Sequence, residues 1–131
     1  MLLKSYVLIM FGGALGTGLR MWVSAFLATH FGEHFPVGTL VVNITGSFLI
    51  SLVAGLAGPD GRWAAPMIVR NFLMVGIMGG YTTFSAFSLQ TLNLMNTAQW
   101  GRAGAYVVLS VALCLAAVWL GQVAANALNA R

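Results

Sequence analysis

Between Thr82 and Ser88 the chain reads Thr-Thr-Phe-Ser-Ala-Phe-Ser, four hydroxyls and two phenyl rings within seven residues. Hydroxyls donate hydrogen bonds to anions, and the edge of a phenyl ring carries the positive end of its quadrupole. Phe84 and Phe87 are three apart, so on a helix they share a face. That pair serves equally as ordinary packing or as two ring edges facing an ion. Further polar groups recur at helical spacing. Thr39, Asn43, Ser47 and Ser51 each follow the last by four residues and draw one ribbon down an apolar helix. Tyr106, Ser110 and Cys114 repeat the pattern near the C-terminus. Ser and Thr can bond back to their own helix, but an amide such as Asn43 within an apolar segment wants a partner. Arg20 is the one charge well inside an apolar segment. It is either a functional cation or a side chain that snorkels to the interface.

The sign of any solute follows from an absence. The chain has two acidic residues, Glu33 and Asp60, and both lie between the apolar runs. Proton-coupled export of cationic compounds needs a buried carboxylate that exchanges protons for substrate. Hydroxyls, amides, phenyl edges and an arginine suit an anion or a small neutral solute instead. The net charge of +4 reflects the scarcity of acids. The six basic residues form no patch of the kind that neutralises phosphates, so nucleic acid is not an expected partner. Lone Cys114 can form neither an internal disulfide nor a metal cluster. No nucleophile–base pair is visible, and an enzyme is not expected.

These groups must be positioned by a membrane protein. Hydrophobic residues make up 60% of the chain and charged residues 6%, against roughly a quarter charged in soluble domains. Four apolar runs are long enough to span a bilayer, which takes about 20 helical residues. They cover about 5–29, 37–57, 66–95 and 101–128, within one four-helix domain, 1–131. Lys4 followed by an apolar run opens like a signal peptide. Arg20 interrupts the segment beyond that run, so the first span is expected to stay. Gly58-Pro59-Asp60-Gly61 is a strong turn cluster, and Pro66 favours a first helical turn. Short connections imply antiparallel neighbours. Lys4, Arg62, Arg70 and Arg131 fall on the side of the termini, against Arg102 and Arg20, which leans towards cytoplasmic termini.

Gly12/Gly16, Gly76/Gly80 and Ala117/Gly121 have the spacing that lets helices approach closely in lipid. A bundle this thin leaves no room for a wide pore within one chain, so a pathway must be narrow or shared between copies. In the third span, Gly79-Gly80-Tyr81-Thr82 reads either as a break that frees backbone carbonyls or as a kink for close packing. Exposed backbone at membrane depth is tolerated only where protein, water or an ion satisfies it.

Three blocks then carry a resemblance: Gly12-Gly13-Ala14-Leu15-Gly16 leading to Arg20, Gly38-Thr39-Leu40-Val41-Val42-Asn43, and Gly79-Gly80-Tyr81-Thr82-Thr83-Phe84-Ser85-Ala86-Phe87-Ser88. With the four-span layout they resemble the small fluoride channels of the Fluc (CrcB) family over nearly the whole chain. The resemblance implies a multi-pass protein of the cell (inner) membrane that lets cytoplasmic fluoride leak out passively. It implies an antiparallel, dual-topology homodimer with two narrow pores at its interface. Phe84 and Phe87 would line each pathway with ring edges, and Asn43 would donate its amide N–H to fluoride. Ser85 and Ser88 would supply hydroxyls, Tyr106 and Ser110 a polar track, and Arg20 a charge near a vestibule. The carbonyls of Gly79 and Thr82 from both copies would hold a central Na+. Two positions depart from the family pattern: Ala86 stands where threonine is usual, and Gln90 where glutamate is usual. Cys114 occupies a position where a hydroxyl is common. The alternative reading is a small dual-topology, proton-coupled multidrug exporter, which predicts an acid in the first span. That span has none.

Overall fold

The computed structural model describes residues 2–130. Arg131, counted above for orientation, lies outside the described residues. Helix α1 covers Leu2–Phe31 and α2 covers Val37–Ala57. The third span divides into α3, residues 67–81, and α4, Phe84–Asn96. Helix α5 covers Trp100–Asn129. All four spans are long and apolar enough to cross a membrane. At 1.5 Å per residue, the 21 residues of α2 reach about 31 Å, the thickness of the hydrocarbon core. The 30-residue α1 and α5 are longer than that, and tilt or projection into the headgroups accommodates the excess.

The ends are set by local chemistry. Gly32 takes a left-handed φ of 74° and its N–H closes onto Ala28 O at 2.9 Å, which ends α1. The turn after α2 is tied to the end of α5. Asn129 accepts the Arg62 N–H at 2.8 Å through Oδ1 and donates from Nδ2 to Gly55 O at 3.1 Å. One side chain thus satisfies a carbonyl that the C-terminus of α2 leaves without a helical donor.

Packing is by backbone approach. Helix α1 lies against α3, and α2 lies against α5. A Cβ on Gly12 would stand 2.9 Å from Phe72 O, and one on Gly76 would stand 3.0 Å from Ile9 O. On Gly80 it would run into Gly13 O, on Gly16 into Ile77 O, and on Gly121 into Phe48 O. The small-residue pairs read from the sequence therefore sit where two helices touch. Gly80 is needed for contact with α1 and does not itself open the helix.

The helix opens two residues later. Gly79–Tyr81 is still helical, while Thr82 and Thr83 are extended, with ψ of 159° and 110°. Ahead of it the chain is over-wide: Phe72–Met78 is π-helical, and the Gly79 N–H reaches back to Met74 O, five residues earlier. Nothing in the apolar sequence announces that stretch. Such segments are rare and occur mostly as single turns beside functional sites.

Candidate functional site: a polar groove beside the broken helix

At the break, Thr83 N–H cannot reach the Gly79 carbonyl four residues back. It donates to Asn43 Oδ1 at 2.8 Å, and Asn43 Nδ2 donates to Thr83 O at 3.1 Å. One carboxamide on α2 therefore binds both backbone groups of the residue that breaks the third span. The Asn43 NH2 has two hydrogens, so one stays free of that clasp. Thr83 also caps α4: its Oγ1 accepts from Ala86 N at 3.2 Å. Gly46 makes room for this arrangement, because a Cβ there would run into Thr82 Cγ2 and the Tyr81 ring. Tyr81 OH in turn pairs with Thr45 Oγ1 at 2.9 Å.

Arg20 reaches the same place. Its Nη1 donates to Thr82 O at 3.4 Å, from a half-buried position. It does not snorkel away from the middle of the bundle. Thr17, one turn earlier, donates from Oγ1 to Gly80 O at 3.4 Å. Gly79 is exposed on the outside of the bundle, and its usual i+4 donor is committed to Asn43.

Beside the break lies a groove of about 350 Å³. Asn43 and Ser47 line it from α2, Phe84 and Phe87 from α4, Ser110 and Cys114 from α5. The two polar ribbons read from the sequence thus face each other across it. Phe87 is buried, whereas Phe84 is 77% exposed. Their rings lie 5.3 Å apart at 48°. Ser110 is 6% exposed, and its Oγ has no hydrogen-bond partner. A buried hydroxyl left unpaired costs about 1–3 kcal/mol, so Ser110 carries an unused donor just behind the groove wall.

Towards the α1–α2 loop the track turns aromatic. Phe87 packs on Tyr106 with centroids 5.2 Å apart, and Phe35 meets Tyr106 edge-on at 5.5 Å. Tyr106 is fully buried and donates its OH to Gln90 Oε1 at 2.8 Å. Gln90, Thr39 and Asn93 then line a second cavity of about 500 Å³ that also touches Glu33 and His34. Ser85 and Ser88 stand apart from both cavities. Ser88 bonds back to Phe84 O at 2.9 Å, Ser85 pairs with Thr83 at 3.2 Å, and both are exposed on the outside of the bundle.

Several residues of this site were not singled out by spacing. Thr83 stood only among the hydroxyls, although a threonine before an apolar helix is a capping signal. Phe35, in the loop, carried no signal, because its place against Tyr106 is tertiary. Among the described residues no group of histidine, cysteine or acidic side chains could bind a metal.

A four-span membrane protein with a broken third span and a polar groove at the break is the class that the structure defines. The family model of CrcB-like proteins, described as camphor resistance (CrcB), matches residues 7–122, and the chain belongs to that family. A fluoride-specific ion channel FluC of Opitutus terrae is 55% identical over 124 residues, covering 95% of this chain and 94% of its own. The fluoride-specific ion channel FluC of Rhodospirillum rubrum is 54% identical over 125 residues, with 95% and 97% covered. That of Methylocella silvestris is 51% identical over 124 residues, with 95% of each covered.

Proposed function

We propose that this chain is a fluoride-selective channel of the cell membrane, giving passive exit to cytoplasmic fluoride. The observation that carries the reading is the groove itself. It gathers a free amide hydrogen of Asn43, the unpaired hydroxyl of Ser110 and the rings of Phe84 and Phe87 in one place with no carboxylate. Full-length likeness to proteins named as fluoride-specific channels supports the choice of anion. A proton-coupled exporter finds no support, because none of the spans carries an acid.

Fluoride is small and strongly hydrated, so its dehydration is costly unless close donors replace the lost water. Hydroxyl and amide donors, with phenyl edges between them, supply those contacts. Rigid rings in a narrow path exclude larger anions by size. Asn43 serves twice in this account: it fixes the break through Thr83 and offers its second N–H to the ion.

The working unit is an antiparallel homodimer with one pathway on each side of the interface. Two features outside the single bundle favour a second copy: exposed Gly79 with its carbonyl lacking the helical donor, and Phe84 projecting at membrane depth. Lipid satisfies no backbone carbonyl. A Na+ at the centre of the pair fits the break. The Gly79 carbonyl is without its helical donor, and the Thr82 carbonyl keeps a lone pair beyond its long contact with Arg20. Gly79 and Thr82 of the two copies would hold the ion, which would neutralise the gathered carbonyls and lock the interface.

Phe84→Ile, Phe87→Ile and Asn43→Ala, each reconstituted in liposomes, test the assignment. Each is expected to cut fluoride efflux at least about tenfold, the effect of roughly 1.4 kcal/mol at the rate-limiting barrier. Undiminished flux in all three would leave the polar stripes with a purely structural role.

A further inference from the structure

Arg20 reaches the same carbonyl that the proposed sodium ion would use. Its Nη1 donates to Thr82 O at 3.4 Å, and among the described residues Thr82 O accepts no other hydrogen bond. The placement is built into α1. Gly16, one turn before Arg20, lies so close to the third span that a Cβ would run into Ile77 O and Tyr81 N. Residues four apart share a helical face, so Arg20 emerges over the break. Its charge meets no carboxylate there, because both acids of the chain, Glu33 and Asp60, lie in loops between the spans. A guanidinium stays protonated at any working pH. The break therefore carries a fixed cation of its own.

We propose that Arg20 is a tethered competitor for the sodium ion: it satisfies the Thr82 carbonyl while the site is empty, and sodium has to displace it to bind. This deepens the reading of a central Na+ and rests on it. The Thr82 oxygen has two lone pairs, so the guanidinium does not bar the ion by shape. It opposes the ion by charge, since like charges a few ångströms apart in a half-buried site repel. The contact is also long for a charge-assisted hydrogen bond, for which about 2.7–2.9 Å is usual. A small hard cation that takes oxygen ligands at short range outcompetes such a contact once its concentration is high enough. Sodium then fills the site only above a threshold that Arg20 sets. The pairing that the ion locks becomes responsive to sodium in the medium.

The test reads sodium binding and not transport. Purified full-length protein in detergent is titrated with NaCl against N-methylglucamine chloride at constant ionic strength, and the midpoint of thermal unfolding is followed. An ion that binds only the folded protein raises that midpoint once its concentration passes the dissociation constant. Arg20→Gln is expected to begin its rise at a sodium concentration at least about tenfold lower than the parent, the scale of a unit charge removed from beside the ion. Arg20→Lys, which keeps the charge, should stay near the parent. An onset in Arg20→Gln equal to the parent's, or higher, would overturn the proposal, because Arg20 would then only hold the break in shape. Should Arg20→Gln fail to fold, the NMR signal of the Arg20 guanidinium in the parent decides. It is expected to shift as sodium replaces N-methylglucamine, and a signal indifferent to sodium would overturn the competition. A parent that responds to sodium while Arg20 proves inert sinks the competitor alone. If the parent itself gains nothing from sodium, the central Na+ fails and the competitor falls with it.

Discussion

At the scale of single residues, Ser110 and Asn43 separate the roles of structure and transport. Asn43 makes two hydrogen bonds to the backbone of the break, so its loss harms folding as well as flux. Ser110 Oγ makes none. Ser110→Ala is therefore expected to keep thermal stability in detergent or raise it by up to about 1–3 kcal/mol, since it removes a buried hydroxyl without a partner, while fluoride efflux falls. Thermal unfolding and electrode traces on one preparation check both halves. A stability loss without a flux loss would mean that the hydroxyl belongs to the packing. Gln90 belongs to this scale too. Where a glutamate would place a charge on the loop-side cavity, its neutral Oε1 accepts from Tyr106. The one acidic residue on that cavity is Glu33, from the α1–α2 loop.

At the scale of elements, the third span depends on how closely α1 approaches. A methyl on Gly80 would meet the Gly13 carbonyl, whereas a methyl on Gly13 meets nothing within 4 Å. Gly80→Ala is expected to destabilise the protein by about 1–3 kcal/mol, the usual cost of overpacking, and to depress flux by shifting the break. Gly13→Ala is expected to be silent on both counts. Equal effects from the two would contradict the packing. The four spans were legible as apolar runs, and their ends by Gly, Pro and polar punctuation. The break was legible only as a neighbourhood. The glycines mark contact with α1, while Thr82 and Thr83 make the opening, with Asn43 on another helix holding it. The π-helical turn over Phe72–Met78 left no trace, since an apolar run reads alike at 3.6 or 4.4 residues per turn. The i+4 ribbons did show which faces of α2 and α5 meet at the groove. They could not show that Arg20 would reach Thr82, a contact between residues 62 apart.

At the scale of the whole molecule, one bundle leaves Gly79, Phe84, Ser85 and Ser88 on its outside at membrane depth. In the proposed dimer a second copy in the opposite orientation would cover them and complete the pathways. Antiparallel pairing predicts chains inserted both ways. With Lys4→Cys introduced beside Cys114→Ser, an impermeant maleimide added to intact cells should label about half of the chains, one of each antiparallel pair. The rest should label only after permeabilisation. Labelling confined to one side would rule out that pairing.

Selectivity is the central claim, and efflux from liposomes holding the purified protein tests it most directly. Fluoride and chloride are loaded in turn and each release is followed with its ion-selective electrode. Rapid fluoride release that needs no proton gradient, with chloride retained, is the predicted result. Comparable rates for the two anions, or no fluoride release from folded protein, would contradict it.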